Sequence, residues 1–252
     1  MVNGYGKSHR LSRLFGSPTG KILIMAMDHG IPYGDVKGLE DIEELLKIAG
    51  RGVDAVILNR GMIDTLDHEV LNRFSLIYKL NGVTSYAPNP FDLVMFSTVE
   101  EALSYDPVAL SYEFYIGGEH ENRKLSELSQ VLMDSRKYDV PVISHIYPNE
   151  EKKDPKMVSH CIRLGWELGT DIIKTFYYPG MRDQVSRTRK PILIAGGGKM
   201  NNMDEVVRYV QSAMNEGVRG IAMGRNFWGW GSETRSLVEK LDKVVHGKSE
   251  RN

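Results

Sequence analysis

Residues 140–178 read VPVISHIYPNEEKKDPKMVSHCIRLGWELGTDIIKTFYY and hold one complete strand–helix–strand unit. Val140–Tyr147 and Asp171–Tyr178 are continuous apolar, β-branched runs, the pattern of parallel strands covered on both faces. Between them Asp154-Pro155 reads as an N-cap followed by the first helical position. Val158, Cys161, Gly165 and Leu168 then share one face, and Gly169 ends the helix. Outward from this unit the plan repeats. Further strand runs are Lys21–Met27, Asp54–Leu58, Phe74–Leu80, Val108–Ile116, Pro191–Ala195 and Gly220–Met223, which makes eight in all. Leu39–Ala49 before Gly50 and Met203–Met214 before Gly217 carry apolar positions three and four apart, as amphipathic helices do. Strands alternating with helices over 252 residues, with no Pro/Gly/Ser-rich linker, predict a closed (β/α)8 TIM barrel forming a single domain over residues 1–252. Residues 1–20 are then an N-terminal extension closing the barrel bottom, and 247–252 a frayed tail. An open doubly wound sheet is the rival, but the first strand is not followed by its G-x-G-x-x-G turn.

Composition narrows the function classes. Lys and Arg total 32 against 33 Asp and Glu, so no electrostatic footprint for nucleic acid or an anionic membrane is visible. At 41% hydrophobic and 26% charged, the chain can bury a core. No apolar run approaches the roughly 20 residues of a membrane span, and Met1–Gly16 lacks a signal-peptide core. Cys161 is the only cysteine, which excludes an intrachain disulfide and a cysteine-based zinc site; a cytoplasmic location is expected. The basic residues Lys7, His9, Arg10 and Arg13 suggest a solvated closing segment or an arm toward a partner subunit, without chemistry of their own.

Reacting groups in such a barrel sit at the C-terminal ends of the strands. Lys174, in DIIKTFYY, is a lysine among apolar neighbours. Burial disfavours an ammonium by several kcal/mol unless it is paired or loses its proton, and a neutral amine attacks carbonyls. The alternative is a lysine that snorkels or pairs with Asp28. Asp28, in the Asp-His-Gly turn after the first strand, can move protons or simply cap a turn; His29, of opposite parity, reads as a supporting residue. Tyr147 and His145 share parity and point into the barrel mouth, Tyr147 as an acid/base candidate or as an aromatic plug. Gly196-Gly197-Gly198-Lys199 and Gly224-Arg225-Asn226 follow the last two strands, where barrels of this kind hold phosphate on backbone N–H groups. Lys79 can sit beside Lys174, contact an anion, or snorkel; Asn59-Arg60-Gly61 offers a further polar contact. Glu119-His120-Glu121 lacks helical metal-ligand spacing and reads as a solvated loop, and Phe227-Trp228-Gly229-Trp230 as packing or subunit contact.

Taken together, Asp28-His29-Gly30, Tyr147-Pro148, Lys174-Thr175, Gly196–Lys199 and Gly224-Arg225-Asn226 resemble the archaeal-type class I aldolases of the DeoC/DhnA family. That group includes fructose-bisphosphate aldolases and 2-amino-3,7-dideoxy-D-threo-hept-6-ulosonate synthases. The resemblance spans about Lys21 to Trp228. It implies that Lys174 forms an imine with a phosphorylated ketose, Tyr147 is the acid/base group and Asp28 assists proton transfer. It further implies that Gly197, Gly198, Gly224 and Arg225 hold a phosphate, that no metal or other cofactor is required, and that the chain is homo-oligomeric, often a decamer of pentamers. Two positions depart from the pattern. Asn149-Glu150 stands where Arg-Gly is usual, replacing a cation at the mouth with a carboxylate, and Gly198 replaces a proline. Asn81–Pro90 and Gly30–Gly38 resemble the heptulosonate synthases, whereas Lys79–Gly82 resembles the fructose-bisphosphate enzymes, so both substrates stay open. Other classes are a metal-assisted aldolase or isomerase with Asp28 and His145 as ligands, and a phosphosugar-binding protein in which the lysine is idle.

Overall fold

The computed structural model describes residues 4–149 and 154–247. Eight parallel strands close into a barrel: β1 (Ile22–Ala26), β2 (Ala55–Leu58), β3 (Ser75–Lys79), β4 (Ala109–Ile116), β5 (Val142–Pro148), β6 (Ile172–Thr175), β7 (Ile192–Ile194) and β8 (Gly220–Met223). Neighbours in sequence are neighbours in the sheet, and β8 returns to β1 with Ile22 opposite Gly220 and Met25 opposite Met223. All eight strand runs read from the sequence are present. A two-stranded antiparallel pair, Asn81–Gly82 with Val94–Met95, adds a flap after β3 that the apolar pattern did not announce.

The helices follow the capping chemistry of their sequences. In Pro155–Leu168 the Asp154 side chain accepts the Lys156 N–H at 2.9 Å, and Gly169 ends the helix in the left-handed region at φ 83°, which suits a residue without Cβ. Val158, Cys161, Ile162 and Gly165 form its buried face. Ile42–Ala49 and Met203–Asn215 start at caps made by Asp41 and Asn202.

Strand parity divides the core in two. Leu23, Met25, Val56, Leu58, Leu110, Val142, Ile173 and Ile192 face outward onto the helices. Ile22, Ile24, Ala55, Ile57, Ile77, Ala109, Ile143, Ile172, Leu193 and Ala222 fill the barrel interior. Leu11, Leu14 and Phe15, from the helix Tyr5–Leu14 and its end, pack against this interior cluster. That helix is anchored by a buried ion pair, Lys7 Nζ to Asp171 Oδ2 at 3.0 Å, and the same oxygen accepts the Val142 N–H. Here the structure gives a folded helix where the sequence suggested a solvated segment: the lysine is drawn to a carboxylate below the start of β6. Also below the strands, Asp54 accepts the Leu23 N–H and pairs with His246 of the last helix.

Candidate active site

The inward parity that is apolar at the lower end of the barrel becomes polar at the upper end. Asp28 continues β1, Asn59 follows β2, Lys79 ends β3, Ser111, Glu113 and Tyr115 alternate along β4, His145 and Tyr147 along β5, and Lys174 and Phe176 continue β6. These side chains crown the apolar interior because they occupy every second position above it. They surround a cavity of about 440 Å3 whose wall includes Asp28, His29, Asn59, Lys79, Glu113, Tyr115, Tyr147, Lys174, Gly196, Gly197, Gly224 and Arg225.

Lys174 is 6% exposed. Burial pushes its amine down to about 8, and the nearby Lys79 ammonium acts in the same direction, against the pull of Asp28 and Glu113. At pH 7 about a tenth of such amines are uncharged, roughly 300-fold more than for a solvated lysine. Lys79 does not compete as a nucleophile: burial works against its charge, but Glu113 at 2.6 Å and Asp28 at 3.1 Å hold it protonated, above the ordinary lysine value. Burial alone would raise the carboxyl of Asp28, yet the ammonium of Lys79, with His29 and Lys174, keeps it ionised well below the carboxylate range. Glu113 behaves alike, and burial is again outweighed by Lys79.

Tyr147 stacks on Phe176 with ring centroids 4.7 Å apart and leans on Tyr115 at 5.6 Å. Burial and then the Glu113 carboxylate raise its phenol well above the usual value, so it enters any reaction as a proton donor. His145 lies outside the cavity wall, 1% exposed, with Nε2 3.0 Å from Ser111 Oγ. Burial pushes its imidazole down to about 3, with Lys174 adding to the effect.

After β7 and β8 the two glycine turns meet. Arg225 donates to the Gly197 carbonyl at 3.3 Å, and Asn226 donates to the carbonyls of Gly196 and Gly198. Gly197, at φ 69°, and Gly224 border the cavity. Gly198 and Lys199 do not: both are exposed, and the Lys199 ammonium donates to the Gly229 carbonyl and lies 4.6 Å from the Trp230 ring centroid. At the far rim Asn149 donates to the Gly117 carbonyl, and Glu150 is outside the described residues.

Among the wall residues, Glu113 and Tyr115 are not singled out by the sequence, and His29 reads there only as a supporting residue. Glu113 sits in SYEFY at the parity of Ser111 and Tyr115, so the signal that marked Lys174, a charge inside an apolar strand, was present there too. Tyr115 donates to Glu113 Oε1 at 2.7 Å. His29 lines the cavity and lies 3.5 Å from Asp28, because it begins the short helix Gly30–Tyr33 and strand parity no longer governs it.

A buried amine, an acid pair and a glycine cradle at the top of a (β/α)8 barrel define an aldolase-type site. The chain belongs to the DeoC/LacD family of aldolases, whose family model matches residues 22–229. It is 28% identical over 98% of its length to the 2-amino-4,5-dihydroxy-6-oxo-7-(phosphonooxy)heptanoate synthase of Streptomyces griseus, covering 93% of that protein. It is 33% identical to the class 1 fructose-bisphosphate aldolase of Thermoproteus tenax, over 90% of each chain. Among solved structures, an archaeal fructose-1,6-bisphosphate aldolase with its catalytic lysine bound to the carbinolamine intermediate of its substrate superposes with a TM-score of 0.85. That match has 29% identity and covers 96% of this chain and all of the other.

Proposed function

We propose that this chain is a Schiff-base-forming class I aldolase that makes or breaks a carbon–carbon bond in a phosphorylated ketose or related keto compound, fructose-bisphosphate aldolase-like in its chemistry. The observation that carries this reading is the Lys174 amine, buried at the head of the barrel interior with its proton affinity lowered to about 8.

The uncharged amine attacks the substrate carbonyl to give a carbinolamine. Tyr147, a protonated phenol in the resting site, donates its proton to the departing hydroxyl, so water leaves and an iminium remains. The resulting phenolate takes the proton from the hydroxyl two carbons from the iminium carbon. The bond from that hydroxyl-bearing carbon to the carbon next to the iminium breaks, its electron pair moves toward the positive nitrogen, and an aldehyde and an enamine result. Tyr147 then returns its proton to the enamine carbon, and water releases the ketone. Asp28 keeps Lys79 fixed and protonated within reach of the amine's field and balances the developing iminium charge.

Gly197, Gly224 and Arg225 form the phosphate cradle, while Lys199, turned toward Trp230, contributes at most from outside. A held phosphate fixes the carbonyl against Lys174, and orientation of this kind is worth up to about 7–11 kcal/mol of barrier. A methyl on Gly224 would collide with the His29 ring and come within 3.0 Å of the Ala26 carbonyl oxygen. Gly224→Ala is therefore expected to raise KM for a phosphorylated substrate by about tenfold or more, kcat changing less. Steady-state kinetics on material with native circular dichroism checks this, and an unchanged KM would remove the cradle from the account.

A heptulosonate-synthase-like transaldol reaction uses the same imine and is the second reading. The Streptomyces griseus relative favours it, since its name describes a product with a single phosphonooxy group beside the keto carbon. A borohydride panel of ketose phosphates, read as mass gain on the intact protein, tests both. Adduct formation at limiting substrate should climb about tenfold per pH unit below pH 8 and level off above it, because only the uncharged amine reacts. No mass gain with any ketose phosphate, or a flat pH profile, would count against the imine.

A further inference from the structure

Glu113 takes no part in the steps above, yet both its backbone and its carboxylate are held by hydrogen bonds. Asn81 clamps its backbone from both sides, donating to its carbonyl at 2.7 Å and accepting its N–H at 2.8 Å. One carboxylate oxygen accepts from Lys79 and the other from the Tyr115 hydroxyl. Its side chain is 20% exposed and borders the cavity.

The ring of strands fixes where this carboxylate stands relative to the phosphate cradle. In the order β1-β8-β7-β6-β5-β4-β3-β2, β4 is four strands from β8, diametrically across the mouth. Lys174 on β6 lies midway between them. A substrate whose phosphate rests at Gly224 and Arg225 and whose carbonyl meets Lys174 therefore extends toward Glu113 and Tyr115. There it meets the Glu113 carboxylate, whose one cationic partner, the Lys79 ammonium, is shared with Asp28 at the end of β1. A carboxylate oxygen holding one hydrogen bond can accept another, and it repels an anion.

We infer that Glu113, with the Tyr115 hydroxyl it holds, is the specificity-determining group for the half of the substrate remote from the first phosphate, accepting a hydrogen bond from a hydroxyl there and turning away a second phosphate. This rests on the Schiff-base reading of the same cavity.

The test compares kcat/KM for cleavage of fructose 1-phosphate and fructose 1,6-bisphosphate, with borohydride trapping of both in parallel. The wild-type protein should prefer the monophosphate by about tenfold or more. Glu113→Gln keeps the shape and an acceptor for Tyr115 but removes the charge, and should shrink that preference about tenfold; Glu113→Asp should preserve it. A ratio unmoved in Glu113→Gln, both sugars still being trapped, would overturn the inference and leave the imine reading intact. Should Glu113→Gln prove insoluble, the wild-type ratio decides, and equal use of the bisphosphate overturns the inference. If the wild-type protein traps neither sugar, the inference is overturned, and the imine reading falls with it only when no other ketose phosphate is trapped either.

Discussion

Lys174→Met is expected to abolish borohydride trapping and to lower turnover by about five orders of magnitude or more, because among the described residues the other lysine lining the cavity is Lys79, whose amine is held protonated. Lys79 cannot substitute while two carboxylates hold its proton. The same change should stabilise the fold. Lys174 pays for its reactivity in desolvation: its amine falls from the ordinary 10.5 to about 8, which corresponds to about 3 kcal/mol against the folded state. For a group whose folded value is lowered in this way, the cost is present in full below about pH 8 and fades as pH rises toward 10.5. Methionine matches the length of lysine and carries no charge to desolvate. Thermal unfolding at pH 7 should therefore show a higher Tm for Lys174→Met, with a smaller gain at pH 10. A variant that is inactive and also less stable at pH 7 would mean that the amine is paired structurally and was not held ready for chemistry.

Lys7→Met should do the opposite. Lys7 and Asp171 are both buried below the strands, with side chains 7% and 6% exposed, and removing the lysine leaves a carboxylate without its cation. Breaking such a pair costs about 3–5 kcal/mol, although the Val142 N–H still reaches Asp171 and holds the loss toward the lower figure. At about 2–4 °C per kcal/mol for a chain of this size, Tm should fall by roughly 6–12 °C. Specific activity of the folded fraction should stay unchanged, since the pair lies at the opposite end of the barrel from Lys174. Denaturant titration with parallel kinetics separates the two effects, and a lost kcat at full stability would contradict this division of the barrel into a supporting bottom and a reacting top.

The contrast between these two lysines also shows what the sequence could and could not reveal. Both barrel strands and interhelical turns were legible because their signals are local: apolar runs for the strands, and Asp154, Pro155 and Gly169 at the ends of one helix. Lys174 was legible because a charge within DIIKTFYY breaks a local pattern. Lys7 looks solvated in the sequence, since its partner is 164 residues away and nothing near it in the chain announces a carboxylate. The partners of Lys79 were hidden for the same reason, Asp28 coming from β1 and Glu113 from β4. The flap strands, Asn81–Gly82 and Val94–Met95, are two residues each, too short for any periodicity to register. Glu113 differs from these. Its parity with Ser111 and Tyr115 was in the sequence, and applying to β4 the test that singled out Lys174 would have placed it in the cavity. Lys199 adjoins the glycine turn in the sequence, but the αL conformation of Gly197 and the exposed Gly198 carry the chain away from the cavity before the lysine is reached.

The most direct measurement is peptide mapping by mass spectrometry after borohydride reduction in the presence of a ketose phosphate. The added mass should lie on Lys174 and on no other lysine, and should vanish in Lys174→Met. An adduct on Lys79, or a protein that turns over the sugar with no lysine modified, would contradict the claim that the amine buried in β6 is the nucleophile.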